Sequence, residues 1–146
     1  MNKQEICDEV IGIVESKLQK LHGLISGTRS SNSETKSSMG DKYETGREML
    51  QQEINKLEMQ AATLQNMLNV LRRINVSPHS RIQLGSLVET ASAVYYISVS
   101  AGEFSLRNRK IFAISAESPA AMVMKGLQAG ETFEMNGVKQ QIMQVS

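Results

Sequence analysis

The sequence predicts an α+β chain: an N-terminal antiparallel helical hairpin of coiled-coil character, followed by a small antiparallel β domain with one short helix. Three observations carry this. Apolar residues recur at alternating four- and three-residue steps through two long stretches of the first half. A short polar segment, residues 37–47, acidic at its centre, separates those stretches. Beyond Pro78 the period changes to two, and turn residues punctuate short apolar runs.

The first helix is expected over residues 2–27, on a seam of Cys7, Ile11, Val14, Leu18, Leu21 and Ile25. The second is expected over residues 44–74, on Leu50, Ile54, Leu57, Ala61, Leu64, Leu68 and Leu71. At ~1.5 Å per residue each would be about 40 Å long. Thin amphipathic rods are not stable alone, so each seam needs a partner. The polar link lets the two seams close on each other as an antiparallel hairpin. Gly23 and Gly27 each cost about 1 kcal/mol relative to Ala in a helix. Ser30-Ser31-Asn32-Ser33 favours local side-chain bonds over helix. The first helix is therefore expected to fray or stop within residues 27–33, and the second to start within 38–44.

Asn75-Val76-Ser77-Pro78 ends the second helix, because proline disfavours helical backbone in the residue before it. Strands are expected over residues 82–90 (interrupted at Gly85), 94–99 and 110–115. Ser118-Pro119 reads as an N-cap with proline at the first helical position. A short helix over 120–125 would close at Gly126. Strands over 132–135 and 138–145 flank Asn136-Gly137, a strong hairpin signal. The expected result is a four- or five-stranded antiparallel sheet covered by one helix. The chain thus divides into a hairpin over 1–76 and a β domain over 77–146.

Composition narrows the function. The 146 residues are 40% hydrophobic and 21% charged, as in a folding chain. Sixteen basic against fifteen acidic residues give +1, so bulk charge does not point to nucleic acid. The single Cys7 cannot form an intramolecular disulfide, which fits a reducing compartment. Polar residues follow Met1 directly, so no signal peptide is expected. No apolar run approaches the ~18 residues that span a bilayer, so a soluble, cytoplasmic protein without a membrane partner is expected. Aromatic residues are only 4%, too few for a stacking platform, while nine Met residues suit flexible core filling.

No stand-alone enzyme is legible. His22 and His79 have no metal-ligand partner at helical spacing, and no Cys–His pair or phosphate loop appears. Asp41 and Glu44, in the link between the helices, remain. One reading makes them a capping box, with both charges favoured at a helix N-terminus. The other makes them ligands to a divalent cation. Two carboxylates do not complete the six oxygens that Mg²⁺ takes, so such a tip would lend them to an ion half-held by another macromolecule. Arg29, Lys36, Lys42 and Arg47 would steer the tip toward phosphate or simply solubilise it.

Gly40-Asp41-Lys42-Tyr43-Glu44 between two coiled-coil helices resembles the tip motif of the GreA/GreB transcript cleavage factors of bacterial RNA polymerase. The resemblance extends through Ile114-Ser115-Ala116-Glu117-Ser118-Pro119, Gly126, Gly130-Glu131 and the closing hairpin, which follow that family's FKBP-like C-terminal domain. It implies an accessory elongation factor, not itself an enzyme. The coiled coil would enter the polymerase secondary channel, and Asp41 and Glu44 would act as catalytic metal ligands. They would help hold the second Mg²⁺, shared with the polymerase and not bound by the isolated chain, while the polymerase cleaves backtracked RNA. RNA polymerase is then the partner of a monomer, and nascent RNA and DNA are met only indirectly. After Glu44 the family usually continues Asn-Ala-Glu-Tyr; here Thr45-Gly46-Arg47 follows. The alternatives are a channel-binding regulator or inhibitor without cleavage stimulation, and a structural coiled-coil adaptor.

Overall fold

The computed structural model describes the backbone of residues 1–36 and 44–146 and the side chains of residues 1–31 and 45–146. Its elements in chain order are α1 (Lys3–Lys36), α2 (Glu44–Arg73), β1 (Leu87–Thr90), β2 (Val94–Ser98), β3 (Gly102–Leu106), β4 (Arg109–Ser115), α3 (Pro119–Met124), β5 (Thr132–Met135) and β6 (Val138–Val145). The chain divides into two compact units, Gly12–Leu68 and Met1–Ile11 with Asn69–Ser146.

Gly12–Leu68 is the hairpin unit. Val14, Leu18 and Ile25 of α1 and Ile54, Leu57, Ala61 and Leu68 of α2 are buried, as the heptad pattern requires. Leu21, Leu50 and Leu64 are half-buried. The Arg29 guanidinium reaches across to the Glu58 carboxylate and links the two helices at an exposed position.

The expected stop of the first helix at residues 27–33 is wrong: α1 continues to Lys36. The glycine cost is propensity alone, because a Cβ on Gly23 or Gly27 would meet nothing within 4 Å. Against it stand a buried Ile25 and the Arg29–Glu58 pair across the hairpin. Tertiary contact outweighs the local preference.

The sheet unit holds six strands in the order β3-β4-β2-β1-β6-β5. The expected four or five strands, all antiparallel, need two corrections. β3 is an additional edge strand, and it pairs antiparallel with β4 from Gly102↔Ala113 to Leu106↔Arg109. This hairpin places β4 between β3 and β2, so β2 and β4 run parallel, from Val94↔Ile111 to Ser98↔Ser115. The turn uses Arg107 and Asn108 at φ 51 and 62, the backbone of a two-residue hairpin turn. β1 begins only at Leu87, because the chain before it turns at Gly85 and does not run as one strand from residue 82.

The other local readings agree with the structure. The Ser118 hydroxyl caps α3 by accepting from the Ala121 N–H at 3.2 Å, and Pro119 opens that helix. Asn136 and Gly137, at φ 54 and 78, join β5 to β6. β2 is buried on both faces. Tyr95 and Ile97 enter a core with Val88, Ala121, Met124, Phe133 and Ile142. Val94 and Tyr96, on the opposite face by strand alternation, are fully buried too.

The same unit contains Ile6, Cys7, Val10 and Leu71, all buried on the ends of α1 and α2. Arg107 in the β3–β4 turn pairs with Glu5 at 3.0 Å, and the Cys7 thiol lies 3.7 Å from the Leu71 carbonyl. The start of α1 and the end of α2 therefore belong to the packing around the sheet.

Candidate functional site

α1 ends at Lys36 and α2 begins at Glu44, so the segment carrying the acidic motif joins the two helices. Asp41 lies outside the described residues. Glu44 is the first residue of α2, and its side chain lies outside the description, as do those of Lys36 and Lys42. Thr45 and Gly46 are exposed and Arg47 is half-buried. Arg29 is engaged with Glu58, which removes it from the cations free to steer toward phosphate. Among the described residues no group of three or more His, Cys, Asp or Glu side chains could hold a metal ion. As donors, the two carboxylates of Asp41 and Glu44 are hard oxygens of the kind Mg²⁺ takes, and they would leave most of its octahedron to other ligands.

Three further polar clusters lie in the sheet unit, and little in the residue pattern points to them. Lys3 is only 7% exposed, and its ammonium donates to the Ser77 carbonyl at 2.8 Å. Burial pushes its pKa down. Next, His79 Nδ1 lies 2.9 Å from the Ser86 hydroxyl, a distance at which a histidine can activate a serine. Ser86, however, is fully buried, accepts from the Gln83 N–H at 2.9 Å, and lies 3.4 Å from the Arg81 carbonyl. The pair ties the 75–80 segment to the start of the sheet and presents no hydroxyl to a substrate. Burial, and secondarily the Lys3 charge, lower the His79 pKa.

The third cluster surrounds Tyr96. It is fully buried, and its hydroxyl has no hydrogen-bond partner among the described residues. Burial raises its pKa far above the usual phenol value, with Cys7 and Asp8 nearby adding to the effect. The alternation of β2 could have placed Tyr96 inward, but nothing in the sequence paired it with α1.

A groove of about 270 Å³ opens between α3 and the 82–84 segment, with Leu84 and Met122 exposed at its edge and Glu117 and Lys125 bringing opposite charges to it. Its lining contains no aromatic ring, so it does not resemble a proline-binding pocket. No described helix is long and apolar enough to cross a membrane.

No family model matches the chain, and no curated protein matches it. Three solved structures to which it is similar are those of Gfh1 proteins. A structure described as that of the transcription factor Gfh1 is 17% identical, with 92% of each chain covered and a TM-score of 0.39. GreA factor homolog 1 (Gfh1) of Thermus thermophilus is 18% identical over 93% of this chain and 94% of its own, at a TM-score of 0.40. Gfh1 of Thermus aquaticus is 20% identical over 90% of each chain, at 0.33.

Proposed function

We propose that this chain is a Gre-type transcription elongation factor that enters the secondary channel of RNA polymerase and stimulates cleavage of backtracked RNA. One observation carries the reading: Gly40-Asp41-Lys42-Tyr43-Glu44 stands at the connection between two helices that close on each other along continuous seams. A hairpin of this kind can carry its connecting segment into a narrow passage. In this reading Asp41 and Glu44 lend oxygen ligands to the second Mg²⁺ of the polymerase, and that ion supplies stabilisation of charge developing on the reacting oxygens. The chain positions two anions and catalyses nothing alone. It works as a cytoplasmic monomer, with the hairpin unit as the inserted part and the sheet unit, which takes in the start of α1 and the end of α2, as the docking part, and meets RNA and DNA only through the polymerase.

The second reading is a channel-binding regulator that does not stimulate cleavage. Thr45-Gly46-Arg47 favours it, because the residues beside the tip acids differ from the usual Asn-Ala-Glu-Tyr.

The test is a transcript cleavage assay on a halted polymerase complex with Asp41→Asn and Glu44→Gln. Both changes keep size and remove the anion that a hard cation needs. Asn caps a helix nearly as well as Asp, so melting should be unchanged. Loss of cleavage with retained polymerase binding and partial rescue by added Mg²⁺ is the expected result. Unchanged cleavage by Asp41→Asn would reduce the pair to helix caps. A wild-type protein that binds but stimulates nothing at any Mg²⁺ concentration would establish the regulator instead.

A further inference from the structure

We infer that the distal turns of the hairpin, residues 26–36 of α1 and 45–53 of α2, form a separate cooperative unit that opens as one piece while the rest of the seam stays closed. The burial pattern divides the two helices at the same level. Val14, Leu18 and Ile25 on α1 and Ile54, Leu57, Ala61 and Leu68 on α2 are buried. Beyond Ile25 on α1 and before Ile54 on α2, no described side chain is buried. Thr28, Arg47 and Leu50 are half-buried there, and Met49 is 65% exposed. The seam thus ends about three turns before the helices do.

Composition marks the same border. α1 finishes as Ser26-Gly27-Thr28-Arg29-Ser30-Ser31-Asn32-Ser33-Glu34-Thr35-Lys36, a stretch without an apolar side chain. Most of it is Gly, Ser, Thr and Asn, which favour caps and turns over helix interiors. α2 carries Gly46 in its first turn. The Arg29–Glu58 pair joins the helices near the border, but both side chains are exposed, so it holds them weakly. Neither distal part is long enough to stand as an isolated helix, so each stays helical only while the other lies beside it. Loss of one removes the support of the other, and both open together. Opening stops at Ile25 and Ile54, the first positions where it would expose buried apolar surface. This unit carries the segment that joins α1 to α2, so its closure decides where that segment is held. Opening of this kind is a property of the isolated chain, whatever the tip binds.

Native-state hydrogen exchange of the full chain, read amide by amide by NMR across a urea series below the unfolding midpoint, is the test. Amides of residues 27–36 and 48–53 should share one opening equilibrium and one urea slope, with protection at least ~10-fold below that of 14–25 and 57–68. Protection that falls residue by residue toward the helix ends without a shared urea slope would be simple fraying and would overturn the inference. Protection equal to that of 14–25 and 57–68 would overturn it as well. Gly27→Ala, where a Cβ meets nothing within 4 Å, favours helix by about 1 kcal/mol and should slow exchange ~5-fold in 48–53 of α2 as well as in 27–36 of α1. Should that variant fail to fold, Gly46→Ala, equally open, gives the reverse reading: slower exchange in 27–36 of α1. Gly23→Ala also meets nothing within 4 Å but lies on the closed side of the border, so it should leave the distal amides unchanged within about twofold. An effect of Gly27→Ala confined to α1, or an equal effect of Gly23→Ala on the distal amides, would show that no such unit exists.

Discussion

Gly85 and Gly130 offer a controlled measurement of how tightly the 74–79 segment is seated. Both have φ +92, a backbone conformation that side chains rarely adopt. At Gly130 an added Cβ would meet nothing within 4 Å. At Gly85 it would stand 3.0 Å from Ile74 Cγ2, 3.1 Å from the Asn75 carbonyl oxygen and 3.4 Å from His79 Cε1. Gly130→Ala therefore reports backbone strain alone, about 1–2 kcal/mol. Gly85→Ala carries the same strain plus crowding. The Ile74 methyl can rotate away, but the Asn75 oxygen is main chain and moves only with the segment. Overpacking of this kind costs about 1–3 kcal/mol, so the total is about 2–5 kcal/mol. At ~2–4 °C per kcal/mol for a chain of this size, Gly85→Ala should melt roughly 2–12 °C below Gly130→Ala. Thermal unfolding followed by circular dichroism measures the difference. Equal melting of the two variants would mean that residues 74–79 do not rest on Gly85, and the reasoning would fail.

Three other substitutions probe the rest of the molecule. Leu57→Asp puts an unpaired carboxylate at a seam position only 7% exposed and should cost more than ~3 kcal/mol; unchanged helix content and melting would contradict the seam. Tyr96→Phe removes a fully buried hydroxyl without a described partner, so denaturation in urea should show stability equal to wild type or up to ~1 kcal/mol higher, whereas a clear loss would reveal a bond to that oxygen. His79 has a folded pKa below its ordinary 6.5, so the unfolded chain takes up the proton first as pH falls. Its contribution to stability is therefore complete above pH ~6.5 and declines as pH drops through that value toward the lowered folded pKa. His79→Gln should flatten the corresponding part of a melting-temperature profile between about pH 8 and 5; a profile identical to wild type would show that His79 titrates as though free.

The legible parts of this fold are those where one local rule acts without competition. Asn136-Gly137 and Ser118-Pro119 each specify a backbone geometry by their own chemistry, and both adopt it. The heptad seams were equally plain, because repeated Leu and Ile at fixed steps admit one buried face. Where local and tertiary terms oppose each other, the sequence misleads. Gly23, Gly27 and the serines after them argue for an early helix end, yet buried Ile25 and the Arg29–Glu58 pair carry α1 onward. β3 was hidden because it is an exposed edge strand, with Phe104 and Leu106 its only large apolar residues, and because Arg107-Asn108 is a weak turn signal. The burial of Lys3 could not be foreseen, since its partner is a carbonyl more than seventy residues away. Of the candidate site, the sequence supplied the carboxylates and the two flanking helices; the Arg29 pairing needed the structure.

Several polar groups of the sheet unit that could act in chemistry are engaged by the fold itself. Four of them are seen directly. His79 is held by Ser86, Ser86 is buried and engaged by the Gln83 N–H, Lys3 is closed over the Ser77 carbonyl, and the Cys7 thiol is buried against Leu71. In the function proposed above, the carboxylates of Asp41 and Glu44 would be different in kind, because as metal ligands they would be incomplete until a cation and its remaining ligands were supplied. The physical consequence is a division of roles. On that proposal the hairpin and sheet would serve placement, and the reaction, its metal ion and its nucleic-acid substrate would belong to the partner that receives the tip.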